Sequence, residues 1–399
     1  MAWGRRRTAT RNGADHNPLM TTASRHTMRA STLELFFDLV FVFGITQVST
    51  VFRSGRDLES FGQGLMLLLM LAWTWVVFSW ITNFTGTDRP AVRFSLIAAM
   101  GASLVMATGV AGAFGDDGLW FAVPLFLVRV AAQAGYWFGT GAELNAALRT
   151  YLPLAFVAPA FVLAGGFVDD PVRTWLWLVA IAVDIGSAIT AGRGEWDVAP
   201  GHFAERYGLF VIIALGESIV AIGIGALSAQ RTVASMAALV VGFIGTAALW
   251  WSYFAHLAEK GERYLQDAPP KERGRFARDA YSILHFPIIL GIVLFSVAVE
   301  NVVAHPLDVI PGFERIAMAA GLALVLLAVV AATYRAVRQI PYERIVAAGL
   351  LGFLALVVTG VDAVWFMTAT VVVVIAALVA EQPRTRRMAS GRPRAADAA

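Results

Sequence analysis

Residues 34–48, ELFFDLVFVFGITQV, and residues 205–227, ERYGLFVIIALGESIVAIGIGAL, are apolar strings that each open on a glutamate and each carry an acid within, Asp38 in the first and Glu217 in the second. A run of about 20 apolar residues suffices for a helix to cross a hydrocarbon core of about 30 Å, so both strings read as membrane-spanning helices. An ionised group near the bilayer centre costs at least about 2.5–3.5 kcal/mol, so an acid retained there faces protein or a watery cavity rather than lipid. The two strings thus carry both the fold class and the place to look for function.

The rest of the chain agrees with them. Of its 399 residues 58% are hydrophobic, 15% are charged and none is cysteine, and the mean hydropathy is +0.67. That leaves too little polar surface to coat a soluble protein of this length. Apolar runs predict an all-α integral membrane protein with spans near 33–52, 61–83, 92–113, 119–139, 150–168, 173–191, 205–227, 232–256, 277–299, 313–334, 343–360 and 363–380. The last two are separated by little more than Gly360, Val361 and Asp362, which requires a tight hairpin and leaves a count of eleven open.

Charge placement provides an independent test, because cytoplasmic loops are enriched in Lys and Arg. With twelve spans and an inside N-terminus, the outer loops hold Arg53, Arg56, Arg173, Arg231 and Arg315, Arg129 lies within a helix, and the remaining 25 of the 31 basic residues fall inside. The expected address is a bacterial inner membrane with both termini cytoplasmic. The formal net charge of +3 is then a matter of topology and implies no nucleic-acid partner. Residues 1–32 and 381–399 read as disordered basic tails with a weak attraction to anionic lipid headgroups, and 192–204 as a cytoplasmic connector.

The spans also repeat. Glu34 opens the first and Glu205 the seventh; WTWVVFSWITN in the second answers ALWWSYFAHLAE in the eighth; Arg93 opens the third as Arg278 opens the ninth. Six intervening spans place the partners the same way up, so the pattern predicts two parallel six-helix halves, 33–191 and 205–380. ELFFDLVFVFG, HFAERYGLFVIIALGESIVAIG, LWWSYF and SILHFPIILG together resemble the low temperature requirement protein A family of bacterial membrane proteins, across Thr32 to Ala380. The resemblance implies a multi-spanning membrane protein and places Glu34, Phe36, Phe37, Asp38, Glu205, Arg206, Gly216 and Glu217 in signature strings. It implies a link to growth in the cold and no particular molecular activity.

Depth along each helix, at 1.5 Å per residue, selects the candidate residues. Glu34 and Asp38 are one turn apart at the cytoplasmic entrance, on one face, and read as access or gate groups. Glu217 lies about 18 Å into its span, near the midplane. Arg129, with Gln133 one turn on, and Asp184 fall at a similar level, and His285 about 12 Å into the ninth span. Glu217, Asp184, Arg129 and His285 are therefore the candidates for a proton or substrate site. Desolvation raises and a nearby cation lowers a carboxyl pKa, and an imidazole titrates near neutrality without tuning. Gly216, Gly223, Gly225, Gly109 and Gly112 would permit close helix approach. Structural readings stand beside these: an Arg129–carboxylate pair that sets helix register, Glu205 and Arg206 as helix-start charges, His285 as a hydrogen-bonded core residue, and tryptophans such as Trp73, Trp75, Trp80, Trp250 and Trp251 as interface anchors or packing.

Enzyme signatures are missing from the sequence: there is no HExxH, no GxSxG, no cysteine and no phosphate loop. Asp38 and Asp184 form the only pair that suggests an intramembrane hydrolase, and no nucleophile or metal accompanies them. No cofactor or metal is expected, and the partners are lipids and a small solute or ion. The expectation is a proton-linked secondary transporter. A cation channel with Glu34, Asp38 and Glu205 at its mouth, or a non-transporting stress scaffold, remain the alternatives.

Overall fold

In the computed structural model, residues 29–139, 155–191 and 198–390 are described. Among them the regular structure is helical, with one isolated antiparallel bridge between Val309 and Asp362. The helices are α1 Thr32–Ser54, α2 Leu58–Thr85, α3 Pro90–Thr108, α4 Gly118–Gly139, α5 Ala155–Gly166, α6 Val172–Ala191, α7 Pro200–Ser228, α8 Val233–Asp267, α9 Glu272–Ala304, α10 Gly312–Val337, α11 Tyr342–Val357 and α12 Ala363–Ser390. All but α5 and α11 are long and apolar enough to cross a membrane. Each expected span has its helix, so the chain is an all-α integral membrane protein. The expected N-terminal tail as far as residue 28, residues 192–197 of the connector, the start of the fifth span and residues 391–399 lie outside the described residues.

Local chemistry explains the boundaries. Ser31 and Glu34 form a capping box at the start of α1, and Asp57 caps α2 by accepting the Ser60 amide at 2.8 Å. That amide bond holds the exposed Asp57 carboxyl below the usual carboxylate range. Pro200 at the first turn of α7 starts that helix before the expected residue 205, which draws His202, Glu205 and Arg206 into regular helix. The third span ends at Thr108, short of the expected 113, where Gly109 leaves no room for a side chain beside the Trp120–Phe121 backbone. The freed carbonyls of Ala113 and Gly115, with those of Gly165 and Val168, accept from Arg173 at 2.7–3.2 Å, so this arginine, counted among the outer-loop charges, is buried. α12 runs past residue 380 to Ser390, where a loose tail was expected, because Glu381 is buried against Arg344 at 2.8 Å. The α11–α12 hairpin turns at Gly360, whose φ of +75° suits glycine, and a Val361 carbonyl–Ile310 amide bond of 3.1 Å ties the turn to the preceding loop.

Two helices are interrupted by π-helical turns, α8 at Phe254–Ala258 and α9 at Ala277–Ile283. In α9 Pro287 has no amide to offer, and the widened turn before it leaves the Ala280 carbonyl to accept from the His285 ring at 2.9 Å. α9 is the centre of the bundle, 78% of its most apolar window being buried against 22% for α6, whose Trp175 and Ile189 face outward. Gly291 of α9 and Gly321 of α10 let the two backbones meet: a Cβ on either would stand 2.5–2.6 Å from the other's carbonyl oxygen. Gly225 approaches the Glu300 carbonyl in the same way, whereas Gly216 and Gly223 border open space and serve no helix crossing.

Candidate functional site

α1 and α7 pack side by side in parallel, and the polar contacts between them keep almost constant sequence separation: 168 residues for Glu34–His202 and Asp38–Arg206, and 171 for Thr46–Glu217. One helix pair therefore carries two groups of buried charge, one near the Ser31 end and one toward the Gly55 end.

The Ser31-end group assembles four ionisable side chains. Glu34 accepts the Ser31 amide and hydroxyl on Oε2 at 2.8 and 2.9 Å, and its Oε1 lies 2.9 Å from His202 Nε2. Asn83 is oriented by the Ala199 backbone, whose amide donates to Oδ1 at 2.9 Å and whose carbonyl accepts from Nδ2 at 3.2 Å. That orientation points Nδ2 at His202 Nδ1, 3.1 Å away, so Nδ1 accepts and Nε2–H donates to Glu34. Arg206 donates to Asp38 Oδ2 at 2.7 Å, reaches Glu34 Oε1 at 3.6 Å, and lies 5.0 Å over the Trp75 ring. Trp75 donates its indole N–H to the other oxygen of Asp38 at 2.8 Å. Glu34, Asp38, Trp75, Asn83, His202 and Arg206 are all buried, and Trp75, stacked on Phe210 at 4.1 Å, is a core residue rather than an interface anchor.

The second group centres on Glu217. Its Oε2 accepts from Thr46 at 2.6 Å and its Oε1 from Arg53 at 2.9 Å, while Arg53 also binds Glu300 of α9. Arg53 and Glu300 line a cavity of about 280 Å³, where Arg56 pairs with the buried Glu314 of α10 at 3.1 Å. Between the two groups about 12 Å of α1, from Asp38 to Thr46, is flanked by the buried Phe37, Phe41, Ile45 and Phe210. The arrangement is two layers of ion pairs with an aromatic plug between them.

The candidates predicted from depth are divided among separate places. Arg129 and Asp184 pair with each other between α4 and α6, with Trp73 as a further donor to Asp184, while Glu217 takes its partners from α1. His285 has both ring nitrogens engaged, Nδ1 by the Ala280 carbonyl and Nε2 by the Tyr253 hydroxyl at 2.7 Å, and stacks on Tyr281. Such saturation is the arrangement of a hydrogen-bonded core histidine. Ser218 reaches Ser296 of α9 at 2.7 Å. Among the described residues no cluster of three or more potential metal ligands occurs.

Sequence reading missed Arg53, Glu300 and Asn83, left Arg206 as a helix-start charge, and treated His202 as a connector residue. A signal was available for two of them: Glu34 and Asp38 are spaced i, i+4, and so are His202 and Arg206 in the other signature string. Two matched i, i+4 pairs of opposite chemistry are what adjoining parallel helices need.

Compared with known proteins, residues 29–380 match the family described as bacterial low temperature requirement A protein (LtrA). The chain is 30% identical over 292 residues, 70% of each chain, to an uncharacterized protein of Rhizobium meliloti (strain 1021), RA0937. No solved structure matches it.

Proposed function

The chain belongs to the bacterial low temperature requirement A family of membrane proteins, and on that premise we propose that it is a proton-linked secondary carrier of a small solute or ion. The observation that supports this reading is the α1–α7 seam: a sealed ion-pair layer at one end, a second layer bordering a cavity at the other, and an apolar plug between. A carrier that alternates access needs two closures that are not open together, and buried ion pairs suit that role because each is costly to break singly and cheap to exchange for another partner. Arg53, shared by Glu217 and Glu300, is such an exchangeable partner. A cation pore would instead need a continuous polar path, and the buried Phe37, Phe41 and Phe210 weigh against one in this state.

In this reading Glu217 is the proton-binding group, Arg53 and Glu300 form the outer closure, and Glu34, Asp38, His202 and Arg206 form the inner one. Arg129 and Asp184 brace α4 against α6. The excess of basic residues in alternate loops supports a bacterial inner-membrane location with the Ser31 end and both termini cytoplasmic. Similar packing of α1 with α3 and α7 with α9, and of α3 with α4 and α9 with α10, supports two parallel six-helix halves. The partners are membrane lipids, protons and the solute; the protein has no enzymatic or nucleic-acid role, and the cold-growth link follows from transport.

The test is a thermal-shift screen of metabolites and ions on the purified protein at two pH values, followed by counterflow in vesicles. A ligand that shifts the wild-type melt in a pH-dependent way, and whose shift is lost in Glu217→Gln, supports the carrier. Unchanged cold growth of a strain that carries only the Glu217→Gln protein would favour the scaffold instead.

A further inference from the structure

The cavity at the Gly55 end lies among α1, α7, α9 and α10, with about 280 Å³ of space. That space suits a small organic molecule rather than a drug-sized one, whose pockets run from about 300 Å³ upward. Its charges do not balance. Arg53 and Arg56 face Glu217, Glu300 and Glu314, which leaves one negative charge in excess. His305 at the rim lies 3.6 Å from Asp308.

The excess is localised. Glu314 is only 3% exposed; its Oε1 meets Arg56 at 3.1 Å, and its buried Oε2 has no hydrogen-bond partner. A buried carboxylate oxygen without a partner forfeits its hydration with nothing in return, and Glu314 is one of the residues that line the cavity. Beside the acids the lining includes the apolar Val297, Ala304 and Phe313. A carboxylate oxygen short of a donor, an aromatic face, alkyl walls and one surplus negative charge are together what an organic ammonium ion needs: a charge partner, a cation–π surface and cover for its methyl or methylene groups.

We propose that this cavity binds a small organic monocation of the alkylammonium class, its nitrogen held by Glu314 and Glu300 and its carbon groups against Phe313 and Val297. The inference deepens the carrier reading and rests on it only for the step from binding to transport. Arg56, 55% exposed on its side chain, is the movable part: it can leave Glu314 for solvent as the ammonium arrives, so binding exchanges one ion pair for another.

The experiment uses the full-length protein purified in detergent, with choline and methylammonium as probes and sodium, potassium and glycine betaine as controls at matched ionic strength. Choline should raise the melting temperature saturably, by about 5 °C at a hundredfold excess over Kd. The shift should be lost in Glu314→Gln. It should also be lost in Ser228→Leu, which fills the cavity mouth without touching a charge and so guards against a Glu314→Gln protein that merely folds poorly. Asp88→Asn, exposed and outside the cavity lining, should keep it. A choline shift no larger than that of sodium, one matched by the zwitterion glycine betaine, or one that survives both cavity variants overturns the site. Choline binding with these properties but without counterflow in vesicles leaves the site standing and removes the carrier reading. Counterflow of some other solute without choline binding does the reverse.

Discussion

Replacing Arg206 by methionine tests the seam between α1 and α7 most directly. The guanidinium joins Asp38 at 2.7 Å and Glu34 at 3.6 Å and covers the Trp75 ring, all of it out of contact with solvent. Methionine keeps much of the volume and removes the charge, so Asp38 retains only the Trp75 N–H and stays buried without a counter-ion. Removing one partner of a buried pair costs about 3–5 kcal/mol, most of it the penalty on the charge left behind. The lost contact with Trp75 belongs to the same interaction and is not added separately. At about 2 °C per kcal/mol for a long chain, the melt in detergent should fall by about 6–10 °C. Arg206→Lys should fall less, since an ammonium can meet Asp38 but cannot span both acids. Asp38→Asn combined with Arg206→Met should recover much of the loss, because an amide still accepts from Trp75 and the one carboxylate left there, Glu34, keeps its bonds from Ser31 and His202. A single Arg206→Met variant melting within about 1 °C of wild type, or a double variant no more stable than the single, would refute the reasoning.

Three further outcomes follow from the same geometry. Glu217→Gln should melt closer to wild type than Arg206→Met, since Arg53 keeps Glu300 and the amide oxygen can still accept from Thr46; in vesicles with a lumenal pH dye it should abolish solute-driven proton movement, and retained coupling would remove Glu217 from the proton path. Gly291→Ala should cost about 1–3 kcal/mol by overpacking against the Gly321 carbonyl, 2.5 Å from the new methyl, whereas Gly216→Ala, which borders open space, should leave the melt unchanged or slightly raised. Because the chain has no cysteine, single substitutions report topology directly: a membrane-impermeant maleimide should label Gln230→Cys in intact cells and Asp267→Cys only after permeabilisation, and the reverse pattern would invert the assignment of the two faces.

The aromatic plug bears on why function is harder to read than fold here. Phe37, Phe41 and Phe210 are indistinguishable from lipid-facing residues by hydropathy, yet they are buried while Phe36 of the same signature string is 58% exposed. Inward and outward faces of a helix in a bilayer are equally apolar, so the amphipathic contrast that marks a core face in water is absent. The acids escape this ambiguity because lipid penalises them: Asp38 and Glu217 are buried as their sequence positions implied, and Glu34, expected at the cytoplasmic entrance, is buried as well.

From the chain alone came everything that depends on transfer between water and hydrocarbon: the helical class, the apolar segments, the tight hairpin at Gly360 and the burial of Asp38 and Glu217. Each follows from length and polarity within one helix. Partner choice follows from neither. Arg129 met Asp184, but Glu217, at a similar expected depth, met Arg53 across 164 residues and left it shared with Glu300. Depth along a helix sets only one coordinate of a side chain; its azimuth and the identity of the adjoining helix are set by close packing, such as the Gly291–Gly321 crossing and the parallel seating of α7 on α1. Those contacts join segments far apart in sequence, and only the tertiary structure decides them.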